Sequence, residues 1–128
     1  MARCRRGEEG AATELVVAFP AFFFLLMVVV QFALWLHASH AAQAAAQEGA
    51  RVARVASAEA GEDRANRFLT NLAPSLIANA QVTASRDGEV ARVDVWGDGV
   101  SLIPGFRAFR IHQHSTGPVE RFRSEAEG

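Results

Sequence analysis

Two pairs of histidines hold the metal-ligand chemistry that this sequence offers. His37 and His40 stand three apart, which places both on one side of a helix, and His112-Gln113-His114 sets two imidazoles on one face of a strand. Either pair needs a third ligand to hold an ion, and no carboxylate or cysteine lies at a diagnostic spacing. The expectation is therefore no metal and no cofactor, with the histidines at a surface or interface. Asp87, Glu89, Asp94 and Asp98 read as turn and strand-surface acids with no nucleophile at a recognisable spacing. Ser75, Ser85 and Ser101 lack a G-x-S-x-G context, and no glycine motif suited to phosphate is present. No residue is assigned a catalytic role, and an enzyme is not expected.

Two other polar residues stand out by position. Glu14 lies at the mouth of an apolar run, and Gln31 is the polar side chain inside it. From Leu15 to Leu36 the chain is otherwise apolar, and at about 1.5 Å per residue these 22 residues reach about 33 Å. That length crosses a bilayer. Arg3, Arg5 and Arg6 precede the run and the next cation is Arg51, so the positive-inside rule leaves the N-terminus cytoplasmic and exports the rest. An amide in hydrocarbon seeks a hydrogen-bond partner, which Gln31 finds either on another helix or at the headgroups. Glu14, in the first turn of the helix, suits the helix dipole as an interfacial anchor or else pairs with a partner.

Composition narrows the class further. A net charge of −1 provides no cationic excess for nucleic acid. Cys4 is the single cysteine and falls on the cytoplasmic side, so no intramolecular disulfide is available to the exported part. All 13 basic side chains are arginine, which with the alanine excess suggests a GC-rich coding bias and a bacterial origin.

Beyond His37 the alanine-rich segment favours a helix continuous from about Ala12 to Ala60, with Gly49 inside it and Gly61 as its stop. Ala38, Ala42, Ala46, Ala50 and Ala53 fall near one face, where a partner helix can approach closely; alanine also favours helix with no partner at all. Arg51 and Arg54, with Glu48, read as a solvated face. A second helix is expected over Glu62 to Asn79, kinked or split by Pro74. Alternation then takes over, with Asp87-Gly88 as a turn between two strands and Val93 and Val95 sharing a face opposite Arg92 and Asp94. A third strand is expected over Phe106 to His112, with Phe109 and Ile111 on one face. The polar end of the chain is expected to fray.

With Gly10, Glu14-Leu15, Pro20, Gln31-Phe32 and Glu48-Gly49-Ala50-Arg51 in this order, the first 56 or so residues resemble the TadE family of small bitopic pilin-like proteins. The closing Gly-Pro-Val-Glu-Arg-Phe resembles the end of many relatives. The resemblance implies a minor pilin or pseudopilin of the tight-adherence (Flp) pilus machinery. Its partners would be the membrane, other pilin-like subunits, inner-membrane assembly proteins and a prepilin peptidase. It also implies that the peptidase cuts between Gly10 and Ala11 and that Glu14 meets the new amino terminus of a neighbouring subunit. Glu14 stands fourth after Gly10, where the usual pilin pattern places glutamate fifth, and Gln31 replaces a glutamate common among relatives.

The expected architecture is a bitopic α+β protein with a pilin-like plan. Residues 1–14 form a basic cytoplasmic arm, 15–37 a transmembrane helix, 38–60 an extracytoplasmic helical stalk, 61–118 a small head of helix and antiparallel sheet, and 119–128 a polar tail. Glu14 and Gln31 are the subunit-pairing candidates, and the five alanines are the helix-packing candidates. The competing reading is a Sec-exported soluble binding module, released by cleavage at the small-x-small site Ala42-Gln43-Ala44. A third class, a membrane-anchored enzyme, would need His40, His112 or His114.

Overall fold

The computed structural model describes residues 5–103, 105 and 109–121, with side chains from Gly10 onward. Five elements follow in order: α1 (Arg5–Val55), α2 (Ala58–Leu72), β1 (Ile77–Arg86), β2 (Val90–Gly99) and β3 (Arg110–Pro118). Cys4 and the third-strand residues expected at 106–108 lie outside the described residues. The 51 residues of α1 extend for about 75 Å. Pro20 lies within the helix and removes one backbone donor, which the chain tolerates without ending the helix.

The first helix stops at Val55, five residues before the expected end, because Ser57 starts a new one. Its backbone is extended (φ −145°, ψ 166°) and its Oγ accepts from the Ala60 N–H at 3.1 Å, a side-chain N-cap. Gly61, expected as a stop, sits inside α2 at the crossing with α1. A Cβ added at Gly61 would lie 2.6 Å from the Gly49 carbonyl oxygen and 2.6 Å from the Ala53 Cβ. A Cβ at Gly49 would lie 2.8 Å from the Gly61 carbonyl oxygen. The two glycines thus let backbone meet backbone, and Glu48 adds a bridge by binding Arg51 at 2.7 Å and Arg64 of α2 at 3.1 Å.

The second helix also ends early, at Leu72 rather than Asn79. Pro74 disfavours helical backbone in the residue before it, and Ala73 has left the helix at φ −139° while its N–H still bonds the Leu69 carbonyl at 2.9 Å. Ile77, expected on the helix, opens β1 instead.

The strands form an antiparallel meander in the order β1-β2-β3. Asp87 shapes the first turn: its Oδ1 accepts from the N–H groups of Val90 at 2.7 Å and Glu89 at 2.8 Å. A bulge between Ala78 and Gln81 puts Asn79 at φ 52°, a left-handed conformation that asparagine tolerates better than most residues. Alternation along β2 sends Ala91, Val93 and Val95 inward, where they join Ile111, Val82 and Ile77. That inner face lies on the alanine side of α1, so helix and sheet share one core.

The third strand is shifted toward the C-terminus and runs to Pro118, the expected end of the head. Gly117 pairs with Ala91 and Pro118 with Val90. The side chain of Arg54 crosses Gly117, where a Cβ would lie 2.7 Å from the Arg54 Cδ, and its Nε donates to the Pro118 carbonyl at 2.9 Å. The Val119 N–H bonds the Glu89 carbonyl and the Glu120 N–H bonds the Arg54 carbonyl. Arg54 is thus a fastener between the end of α1 and the end of the sheet.

Two outcomes follow for stability. Gly61→Ala gains roughly 1 kcal/mol of helix propensity, yet the backbone contact makes overpacking the stronger effect, so a net loss of about 1–3 kcal/mol is expected in denaturant unfolding. Gly10→Ala, with open space around it, meets no such contact and is expected to cause no loss in the same transition. The donors from Val90 and Glu89 hold the Asp87 carboxyl below its ordinary value of 3.8. Its support of the hairpin is therefore complete above that value and is lost as pH falls through the lower folded one. An NMR titration of the carboxyl that finds no depression would refute this account of the turn.

Candidate functional site

From Gly10 to Val30 the residues of α1 are exposed. Among the described residues, the large apolar side chains from Leu15 to Val30 are between 41% and 71% exposed, on every side of the helix. A helix apolar all round and unburied matches lipid rather than water. Gly10–Val55 contains one stretch with a mean hydropathy of 2.6, long and apolar enough to cross a membrane. Gly10, Ala11 and Glu14 are exposed at the start of this stretch, and Glu14 shares an open surface with Thr13, Val17 and Ala18. No ion pair involves Glu14 among the described residues.

Gln31 marks where cover begins. It is 5% exposed, and both ends of its amide are used inside the chain: Nε2 donates to the Val100 carbonyl at 2.8 Å and Oε1 accepts from the Leu102 N–H at 2.7 Å. The side chain thereby completes the backbone hydrogen bonds of the segment that leaves β2. Beside it lies an apolar cavity of about 390 Å³ lined by Phe24, Val28, Phe32, Trp35, Ile103 and Phe109. An unsatisfied backbone pair here would be costly, since no water competes in such surroundings. The expected search of this amide for a partner is met by the protein's own loop.

The alanine face finds its partners in the same way. Ala38, Ala42, Ala46, Ala50 and Ala53 are 0–3% exposed, packed with Ala65 and Leu69 of α2 and with the valines of β2. The segment expected as a stalk is thus the spine of the head. Arg51 stays on an exposed face as expected, while Arg54 has the fastening role described above.

On the outer face of the sheet, Asp94, Trp96, His112 and His114 come together. Arg92 grips Asp94 with two bonds, Nε to Oδ2 at 2.7 Å and Nη2 to Oδ1 at 2.8 Å, and His112 Nε2 lies 3.0 Å from Oδ1. Arg92 first, with His112 adding to it, holds the Asp94 carboxyl down to about 2 despite partial burial. The Trp96 and His112 rings stack at 3.6 Å and 7°. Spacing along the chain pairs His112 with His114 but gives no signal for Asp94, which strand register brings opposite His114. His37 and His40 are exposed on α1 and join no cluster of three ligand-type side chains among the described residues.

Together these features fit a single-pass membrane protein with a small α+β head built directly on its apolar helix. Residues 10–51 match the family model of TadE-like proteins, the family that the sequence resembles, and the match covers 42 of 128 residues, all on α1. No curated protein and no solved structure gives a match.

The Gln31 clamp generates a direct test. Gln31→Leu removes both bonds and leaves the Val100 carbonyl and the Leu102 N–H unpaired, at about 1–3 kcal/mol each where they stay buried. Amide exchange at Leu102 is expected to accelerate markedly while that of Val93 stays slow. Equal protection of Leu102 in both proteins would show that the amide holds nothing.

Proposed function

We propose that this chain is a minor pilin or pseudopilin of a Tad pilus or a related secretion machine. The observation that carries the reading is the division of α1: its C-terminal half is the spine of a folded head, and its N-terminal half is bare and apolar. Such a molecule can be held in a bilayer with its head outside, ready to enter an assembly through the bare half. The arginines of the N-terminal arm favour a cytoplasmic N-terminus, and the proposed location is the inner membrane.

Cleavage after Gly10 would make Ala11 the first residue of α1, with Glu14 in its opening turn. A carboxylate alone in lipid is costly, and pairing with the new amine of a neighbour lowers that cost. In this reading Glu14 sets the axial register between subunits. Gln31 works within the chain, and the alanine face does the same.

Release as a soluble module is the weaker reading. Cleavage at Ala42-Gln43-Ala44 would remove Gln31, Ala38 and Ala42, all of which the head is packed on.

The first measurement is the intact mass and N-terminal residue of the protein from cells with and without their prepilin peptidase. A peptidase-dependent start at Ala11 is expected. An uncut membrane form would overturn the processed-pilin reading, and a start near residue 45 would support the released module. Glu14→Ala is expected to insert normally but to be lost from sheared pili, since an unpaired buried amine costs about 3–5 kcal/mol. Undiminished incorporation would sink the pairing idea.

A further inference from the structure

The outer face of the sheet assembles three ligand-type side chains from two adjacent strands. The ligand atoms of Asp94, His112 and His114 all lie within 4.8 Å of one another. A tetrahedral ion with bonds of about 2.0–2.1 Å needs its ligand atoms about 3.4 Å apart, so modest side-chain rotation closes the site. His112 Nε2 and Asp94 Oδ1 already meet at 3.0 Å. The backbone needs no movement, because His-x-His on β3 and Asp94 on β2 are fixed by the antiparallel register.

The surroundings hold these groups in place. Stacking on Trp96 fixes the plane of the His112 ring, and the Arg92 fork orients the carboxylate from the other side, as outer-shell partners do in metal centres. Arg92 also offsets the charge of Asp94, so affinity here comes from two imidazoles more than from net charge. Calcium and magnesium demand several oxygen ligands, and of these three side chains only Asp94 offers oxygen. Zinc and other imidazole-seeking divalent ions fit it.

We propose that Asp94, His112 and His114 form a surface site for a divalent transition-metal ion, zinc in the first instance, with its fourth position open. To bind, His112 presents the Nε2 lone pair and carries its proton on Nδ1, and the ion takes the place of the present Nε2 to Oδ1 contact. The open position is then filled by water or by a side chain from outside the chain.

The test uses the full chain in detergent micelles, stripped with chelator, and Zn²⁺ measured by competition with a chromophoric chelator. One ion per chain is expected, with a change in Trp96 emission that excess Ca²⁺ neither causes nor reverses. His112→Ala, His114→Gln and Asp94→Asn should each weaken binding by at least the roughly 10–100-fold that loss of an outer-shell partner brings. His114→Gln is the decisive variant, since it changes an exposed side chain and spares the Asp94 contacts; circular dichroism confirms that each variant is folded. The double variant His37→Ala/His40→Ala and the variant Cys4→Ser should bind like the parent. Sub-stoichiometric binding, or stoichiometric binding that survives His114→Gln, would overturn the site.

Discussion

Everything in this molecule depends on how closely its own chain can approach one side of α1. Alanine at six positions and glycine at a seventh strip that side of bulk, so that α2 touches backbone and the sheet rests on methyl groups. The largest side chains wholly enclosed are Ile111, Val93 and Val95, all from the sheet. Such a core has only one layer of substantial side chains and is completed by the helix beneath it. A head of this size buries too little apolar surface to dispense with that layer.

Because the supporting helix is the membrane helix, the head has no linker. From Leu15 to Val30 the bare stretch covers about 24 Å, less than the roughly 30 Å of a hydrocarbon core. Exposed apolar surface continues past Gln31 through Phe32, Leu36, Leu102 and Phe109, so the apolar band is finished jointly by helix and head. Gln31 sits at this junction and ties the loop to the helix. It meets two needs at once, since a polar side chain in an apolar place and a stretch of backbone without a ladder satisfy each other.

Local chemistry made much of this readable in advance. The membrane span, the Asp87 turn, the inward pair Val93 and Val95, and the outward pair Arg92 and Asp94 follow from composition and alternation within a few residues. The early end of α2 follows from Pro74 beside it, whereas the other misplaced boundaries depended on distant contacts. Alanine propensity alone runs a helix through residues 56 and 57, and only the packing of α2 makes the Ser57 break worth its cost. Gly117-Pro118 reads as punctuation before a tail, yet it is held as strand by Val90, Ala91 and Arg54. The partners of Gln31 lie 69 and 71 residues away, and Asp94 lies 18 residues from His112, separations that carry no periodic signal. The alanine face announced close packing but not with what; the chain itself supplied the answer.

That answer constrains how copies can associate within a bilayer. The small-residue face, the feature best suited to close helix contact in lipid, is already covered by the head. What remains for neighbours is a sleeve of Phe19, Phe22, Phe23, Phe24 and aliphatic side chains, open all round. Between apolar surfaces in apolar solvent, burial provides no driving force, and bulky side chains offer several nearly equivalent registers. Register must then come from a directional, polar interaction. Within the described part of the bare helix, Glu14 is the side chain with the charge to supply one, and in the proposed assembly its place at the entrance would set the height of one subunit against the next without interrupting the apolar band. On that proposal the head can be small and singly layered, because alignment along the assembly would be decided near the other end of the helix.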